Sequence, residues 1–150
     1  MRRATRVLAG VAVVVLGAQL FRPTATNPPV ASDVGAPAAV AGVLRRACYD
    51  CHSNETRWPW YAAVAPVSWL VAHDVSEGRE ELNFSTWKAY DARVRRKKLA
   101  KSVAEVDEGE MPPWYYVAMH PEARLDDAER AALRLWMAEA APADGGAAAR

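Results

Sequence analysis

Both cysteines of this 150-residue chain lie in one five-residue stretch, Cys48-Tyr49-Asp50-Cys51-His52, which ends on one of only three histidines. Two cysteines cannot build a disulfide scaffold, so the chain must form its own apolar core or wrap one around a cofactor. A Cys-x-x-Cys pair has several uses. A thioredoxin-like redox pair expects a neighbouring βαβ pattern, and none is visible. A zinc site needs four ligands at suitable spacing. Cys48, Cys51 and His52 stand too close together for that, and there is no second cysteine pair. A plain disulfide between the two cysteines leaves His52 unexplained. The spacing matches the c-type haem attachment pattern. Two thiols three residues apart fall on one side of a helical turn, where each meets a haem vinyl group, and the next residue reaches the iron. One covalent haem c is therefore expected, held through Cys48 and Cys51, with His52 as an axial metal ligand.

An electron-carrying haem usually takes a second axial ligand, commonly Met or His. Met111 is the first candidate. It precedes Pro112-Pro113, and a proline pair fixes extended backbone that can aim a side chain. His73 comes second, then Met119 or His120, while Met137 reads as core packing within a helix.

The chain starts with a different signal. Arg2, Arg3 and Arg6 precede an apolar run from Val7 to Phe21. Residues 1–22 read as a membrane anchor or a secretory signal. Gln19-Leu20-Phe21-Arg22-Pro23 lacks the small residues of a cleavage site, which favours the anchor. Val7–Phe21 rises only about 22 Å as a helix against a hydrocarbon core of about 30 Å, and snorkelling by Arg6 and Arg22 narrows that gap. Arginines cluster on the amino-terminal side, so the rest of the chain is expected on the periplasmic side of a bacterial inner membrane.

Residues 23–37 hold Pro23, Pro28, Pro29 and Pro37 and are expected to form an extended linker. Residues 38–140 are the globular part, and 141–150 an alanine- and glycine-rich tail expected to be disordered. The globular part reads as all-α. A helix over Ala38–Ala47 runs into Cys48, and Pro66 opens another that ends near Gly78. Ser85 is the expected N-cap of a helix from Thr86 to about Val106, and Gly109 its stop. Asp126 with Glu129 caps a last helix, Asp127–Ala140. No segment alternates long enough to make a strand.

Composition removes further classes. Nineteen basic against 18 acidic residues leave a formal charge of +1, so no nucleic-acid partner is expected. Six Trp and five Tyr against two Phe favour large rings with a polar handle. Trp58, Trp60, Trp69 and Trp114 are candidate walls of a haem pocket, against the alternative of ordinary core aromatics. Arg57 is a candidate partner for a haem propionate, against that of a solvated arginine. The basic run Arg93, Arg95, Arg96, Lys97, Lys98 and Lys101 reads as a solvated helix face, or as a patch that steers an acidic redox partner.

Taken together these stretches resemble the haem-binding domain family of small c-type cytochromes. The resemblance rests on Ser53-Asn54-Glu55-Thr56-Arg57-Trp58-Pro59-Trp60-Tyr61 behind the attachment motif, and on Ala65-Pro66-Val67-Ser68-Trp69. It continues through Glu77-Gly78-Arg79, Leu82-Asn83-Phe84-Ser85, Gly109-Glu110-Met111-Pro112-Pro113-Trp114 and His120-Pro121-Glu122-Ala123. It covers nearly the whole chain. The order of motifs is also similar to single-haem class I cytochromes c, which implies a cytochrome c-like helical fold with His52 and Met111 on opposite faces of the haem. The expected function is single-electron transfer by a tethered mono-haem cytochrome, not an enzyme, working with redox partner proteins. The alternative is a redox or gas sensor, or a peroxidase-like protein, with an exchangeable sixth ligand.

Overall fold

The structure, a computed structural model, describes residues 2–140, so the expected disordered tail lies outside the described residues. Among the described residues every regular element is helical, with α1 over Arg2–Ala18, α2 over Ala38–Ala47, α3 over Tyr49–His52 and α4 over Val67–Glu81. The remaining helices are α5 over Ala92–Asp107, α6 over Trp114–Met119 and α7 over Asp127–Ala140. Short 3-10 turns cover Gln19–Phe21, Trp60–Ala63, Phe84–Ala89 and Pro121–Ala123.

Helices α2, α5 and α7 present their apolar faces to one another. Val40, Val43 and Leu44 of α2 meet Leu99 and Val106 of α5 and Leu133, Trp136 and Met137 of α7 in a single buried cluster. Leu44, Leu99 and Leu133 have at most 1% of their surface exposed. Polar ties lock the same helices. Arg46 of α2 pairs with Glu129 of α7 at 2.5 Å and donates to the Glu122 carbonyl at 2.7 Å. Arg130 and Arg134 of α7 reach the carboxyl end of α5, at the Val106 carbonyl (2.7 Å) and Asp107 (2.6 Å). Those contacts suit the unpaired carbonyls and negative pole of a helix end.

The last helix begins as its sequence predicts. The Asp126 amide donates to Glu129 at 3.1 Å and the Glu129 amide to Asp126 at 2.8 Å, a reciprocal capping box. Gly109 also ends α5 as expected, at φ +78°. The Glu110 amide reaches back to the Glu105 carbonyl and the Gly109 amide to that of Val106, a Schellman closure.

Three local expectations change. Ser85 does not cap a long helix. Its amide is taken by the Asn83 side chain, the chain makes 3-10 turns to Ala89, and α5 starts later, with Asp91 accepting from the Val94 amide at 2.7 Å. Helix α4 does not stop near Gly78 but runs three residues beyond it, to Glu81. Residues 114–119, read without an element in the sequence, form α6 directly behind Pro113.

The proline-rich segment is extended, but it is strapped to the body. The amides of Ala31 and Ser32 donate to the Ser85 carbonyl at 2.9 Å, Asn27 donates to the Thr56 carbonyl at 2.9 Å, and Val34 and Ala36 pack on the core. Helix α1 is exposed along its apolar length, and the span Arg3–Phe21 is long and apolar enough to cross a membrane.

Candidate functional site

Cys48 ends α2, and α3 is one short turn that carries Cys51 and His52. The amides of Cys51 and His52 both donate to the Cys48 carbonyl, at 3.2 and 2.8 Å, so the turn folds the two thiols toward one side. The thiols are not joined to each other. Burial holds both in the neutral form and pushes each pKa up to about 12. For Cys51 the charges of Asp74 and Asp50 add to that effect.

Burial also lowers the pKa of His52, against the raising effect of two backbone carbonyls. Those carbonyls define its tautomer. Carbonyl oxygens only accept, so Nδ1 carries the proton and donates to Gly78 at 2.8 Å and Leu82 at 3.2 Å. The other ring nitrogen, Nε2, keeps its lone pair, the form in which imidazole binds a metal. Gly78 makes this possible. A Cβ there would stand 2.5 Å from the Cys51 carbonyl oxygen and 2.9 Å from the Cys51 Cβ. Only glycine lets α4 come close enough to place its carbonyl under the imidazole.

These three side chains line a cavity of about 480 Å³, within the usual range for a cofactor pocket. Met111 lines the same cavity, and so do the apolar side chains Leu82, Phe84, Val106, Leu125 and Leu133. Lys97, Lys98 and Lys101 of α5 also line it, as do Asp74, Glu77 and Glu81 of α4, and Lys101 pairs with Glu81 at 2.8 Å. Met111 is placed by the end of α5, where its amide shares the Glu105 carbonyl with that of Glu110. Two thiols, a metal-competent imidazole and a thioether sulfur around an apolar cleft fit a haem, and lysines on the same wall supply cations for carboxylates such as its propionates.

A buried carboxylate ties the two sides of the cavity. Asp50, inside the attachment motif, accepts from the Arg57 amide at 2.9 Å and pairs with the Arg57 guanidinium at 3.0 Å. Tyr116 of α6, two residues beyond Trp114, donates to the same carboxylate at 2.8 Å. Burial and that carboxylate raise the pKa of the Tyr116 phenol. The segment that presents Met111 is thus bound to the segment that presents His52. Behind α3 the Ser-Asn-x-Thr stretch forms a polar knot. The Asn54 amide donates to Ser85 at 2.9 Å, and its side chain accepts from Asn83 and donates to the Pro29 carbonyl, each at 2.8 Å. Arg79 of α4 donates to the Ser53 carbonyl at 2.8 Å, and to Thr56 and Asn27 at 2.9 Å.

The structure brings Cys48, Cys51, His52 and Met111 to one cavity. The four tryptophans and Arg57 are not among its lining residues. Trp58 donates to Asn27 of the strap, Trp69 donates to the Phe21 carbonyl, and Trp60 and Trp114 are 77% and 80% exposed. The aromatic walls are Phe84, Tyr115 and Tyr116 instead. Arg57 is engaged by Asp50, which itself lines the cavity and holds both the Arg57 amide and its guanidinium. Of the other axial candidates, His73 and Met119 do not line the cavity, and Met119 is 56% exposed. His120 stacks on Tyr116 at 4.5 Å and accepts from the Tyr61 hydroxyl at 2.6 Å, with Nδ1 turned to Glu122 at 3.3 Å. The roles of Gly78, Asp50 and Tyr116 were not legible in the sequence. The lysines did leave a trace, since Val94, Lys97, Lys98 and Lys101 share one helical face.

An all-helical body closed around a haem-sized cleft, with a Cys-x-x-Cys-His turn in its wall, defines a haem-binding protein. Residues 13–139 match the family described as haem-binding domain, and the chain belongs to that family. It is also 28% identical over 142 residues to the cytochrome c peroxidase of Escherichia coli (strain K12), a match covering 88% of this chain. The chain spans only 30% of that relative's length. No solved structure matches it.

Proposed function

We propose that this protein is a mono-haem c-type cytochrome, anchored by α1 on the periplasmic side of the inner membrane, that passes single electrons between partner proteins. The observation that carries the reading is the orientation of His52. Its Nδ1 proton is held by the carbonyls of Gly78 and Leu82, which leaves Nε2 free for iron in a cavity that Met111 also lines. Cys48 and Cys51 would each add S–H across a vinyl double bond, sulfur bonding one carbon and hydrogen the other, with no net redox change. When bound, the haem supplies one-electron Fe(III)/Fe(II) exchange. The chain positions His52 and Met111, the residues that would hold the haem iron, through the Asp50–Tyr116 bond and the Schellman closure. The apolar lining excludes water and favours the less charged state.

The first experiment is the absorption spectrum, oxidised and reduced, of protein matured with covalent haem, its mass confirming two thioether links. Low-spin bands with a weak red sulfur-to-iron band, lost in Met111→Ala, are expected. A high-spin spectrum would overturn the carrier.

The similarity to a cytochrome c peroxidase favours one second reading, a haem protein whose sixth position opens to peroxide. Rapid cyanide binding and peroxide turnover by the wild-type protein would select it.

A further inference from the structure

The end of α1 is not a free tether. Gln19 exchanges two hydrogen bonds with Ala65, its amide donating to the carbonyl and its carbonyl accepting from the Ala65 amide, both at 3.1 Å. Arg22 donates to the Ala63 carbonyl, and the Trp69 indole donates to the Phe21 carbonyl at 3.0 Å. The last turn of the apolar helix is therefore fastened to residues 60–70. That platform has an unusual surface for a water-facing loop. Leu20, Phe21 and Trp60 are 77–82% exposed, and Val64, Val67, Trp69 and Leu70 are 41–48% exposed. Trp60, Leu20 and Arg22 line one groove. No Asp or Glu occurs before Asp33, and none between Glu55 and Asp74.

We propose that residues 60–70 and the end of α1 form a collar that lies in the lipid interface and seats the haem domain directly on the bilayer in one orientation. The inference rests on the anchoring of α1. The occupant follows from continuity with that helix. A span that starts at Arg3 and ends at Phe21 rises about 28 Å, so its outer end leaves the hydrocarbon where Trp60 and Trp69 stand. Tryptophan, with an apolar body and one N–H, favours that depth. The absence of carboxylates, with Arg22 present, suits anionic headgroups. The strap 23–37 is bound to the domain, so no free spacer lifts the collar away. Helix α4 starts in the collar at Val67, and its first cavity residue, Asp74, comes about 10 Å further along its axis. Seating the collar fixes the height at which the cleft meets a partner.

The test uses the full haem-loaded chain in phosphatidylcholine–phosphatidylglycerol vesicles. Haem attachment consumes both native thiols, so a nitroxide is placed through Ala63→Cys in the collar, or through Ala100→Cys as the reference. Ala100 is exposed and does not line the cavity, and it neighbours Lys101, which pairs with Glu81 at the far end of α4, roughly 20 Å from Val67. The ratio of oxygen to water-soluble nickel collisions should be several-fold higher at Ala63 than at Ala100. Adding Trp60→Ser and Trp69→Ser should lower it while the protein still floats with the vesicles. Flotation with a water-like ratio at Ala63 would overturn the collar and leave the anchor standing. Absence of flotation would overturn both. Spin–spin broadening at Ala63 that grows with protein density would assign the patch to a second copy instead.

Discussion

Gly78 shows how a single missing carbon positions a metal ligand. The Cys51 backbone occupies the space of its Cβ, and the Gly78 carbonyl is the closer acceptor for His52 Nδ1. Gly78→Ala should push α4 off α3, cost about 3 kcal/mol, and sharply reduce the yield of haem-loaded protein. Thermal melting and haem content per chain check this, with Gly42→Ala as a control, because a Cβ at Gly42 meets nothing within 4 Å. Asn54 acts at the same scale. It is buried and bonded to Ser85, Asn83 and Pro29. Asn54→Ala keeps the amide bond to Ser85 and leaves the Asn83 side-chain donor and the Pro29 carbonyl unpaired, at a cost of about 1–3 kcal/mol measured by denaturant unfolding. The attachment motif was readable residue by residue because its chemistry needs fixed types at fixed spacing. Asp50 was not, because a carboxylate inside the motif gains its meaning only from Arg57 and Tyr116 beside it.

Among the elements, the ends fixed by local hydrogen bonds were legible, and the ends set by tertiary contacts were not. The capping box of α7 and the glycine after α5 are local hydrogen-bond patterns, so the residues that make them announce them. Gly109→Ala puts a side chain at φ +78° and should destabilise the protein by about 1 kcal/mol. It should also weaken the sulfur-to-iron band, because the same turn presents Met111. Melting and the red absorption band report the two effects separately. The start of α5 was misplaced for a tertiary reason. Ser85 is a good cap by type, but its hydroxyl accepts from the Asn54 amide and its carbonyl from Ala31 and Ser32. With Ser85 occupied by the strap and the polar knot, Asp91 caps the helix instead.

The whole molecule depends on its strap. A chain beginning at Thr24 keeps the bonds of Asn27, Ala31 and Ser32 and should melt close to the full chain. A chain beginning at Ala38 loses them, along with the packing of Val34 and Ala36, and should be at least about 3 kcal/mol less stable. Calorimetry of the two haem-loaded truncations checks this, and equal stability would show that the strap only lies on the surface. In the proposed collar, the same segment would hold the domain against the bilayer instead of letting it swing from α1.

Sequence alone determined the helical class, the capping box of α7, the glycine stop of α5, the apolar amino-terminal helix and the cluster Cys48, Cys51 and His52, and it ranked Met111 ahead of His73, Met119 and His120. Each of these is written in local spacing, and local spacing survives without a fold. Tertiary structure decided which side chains surround the cleft. The tryptophans were expected as its walls on the ground of size and flatness alone. Exposure depends on what packs against a ring, and for Trp60 and Trp69 the neighbour is the end of α1. Phe84 and Tyr116 reach the cavity because the polar knot turns one inward and Asp50 holds the other. Long-range hydrogen bonds of this kind join residues far apart in the chain, and no periodicity in the sequence records them.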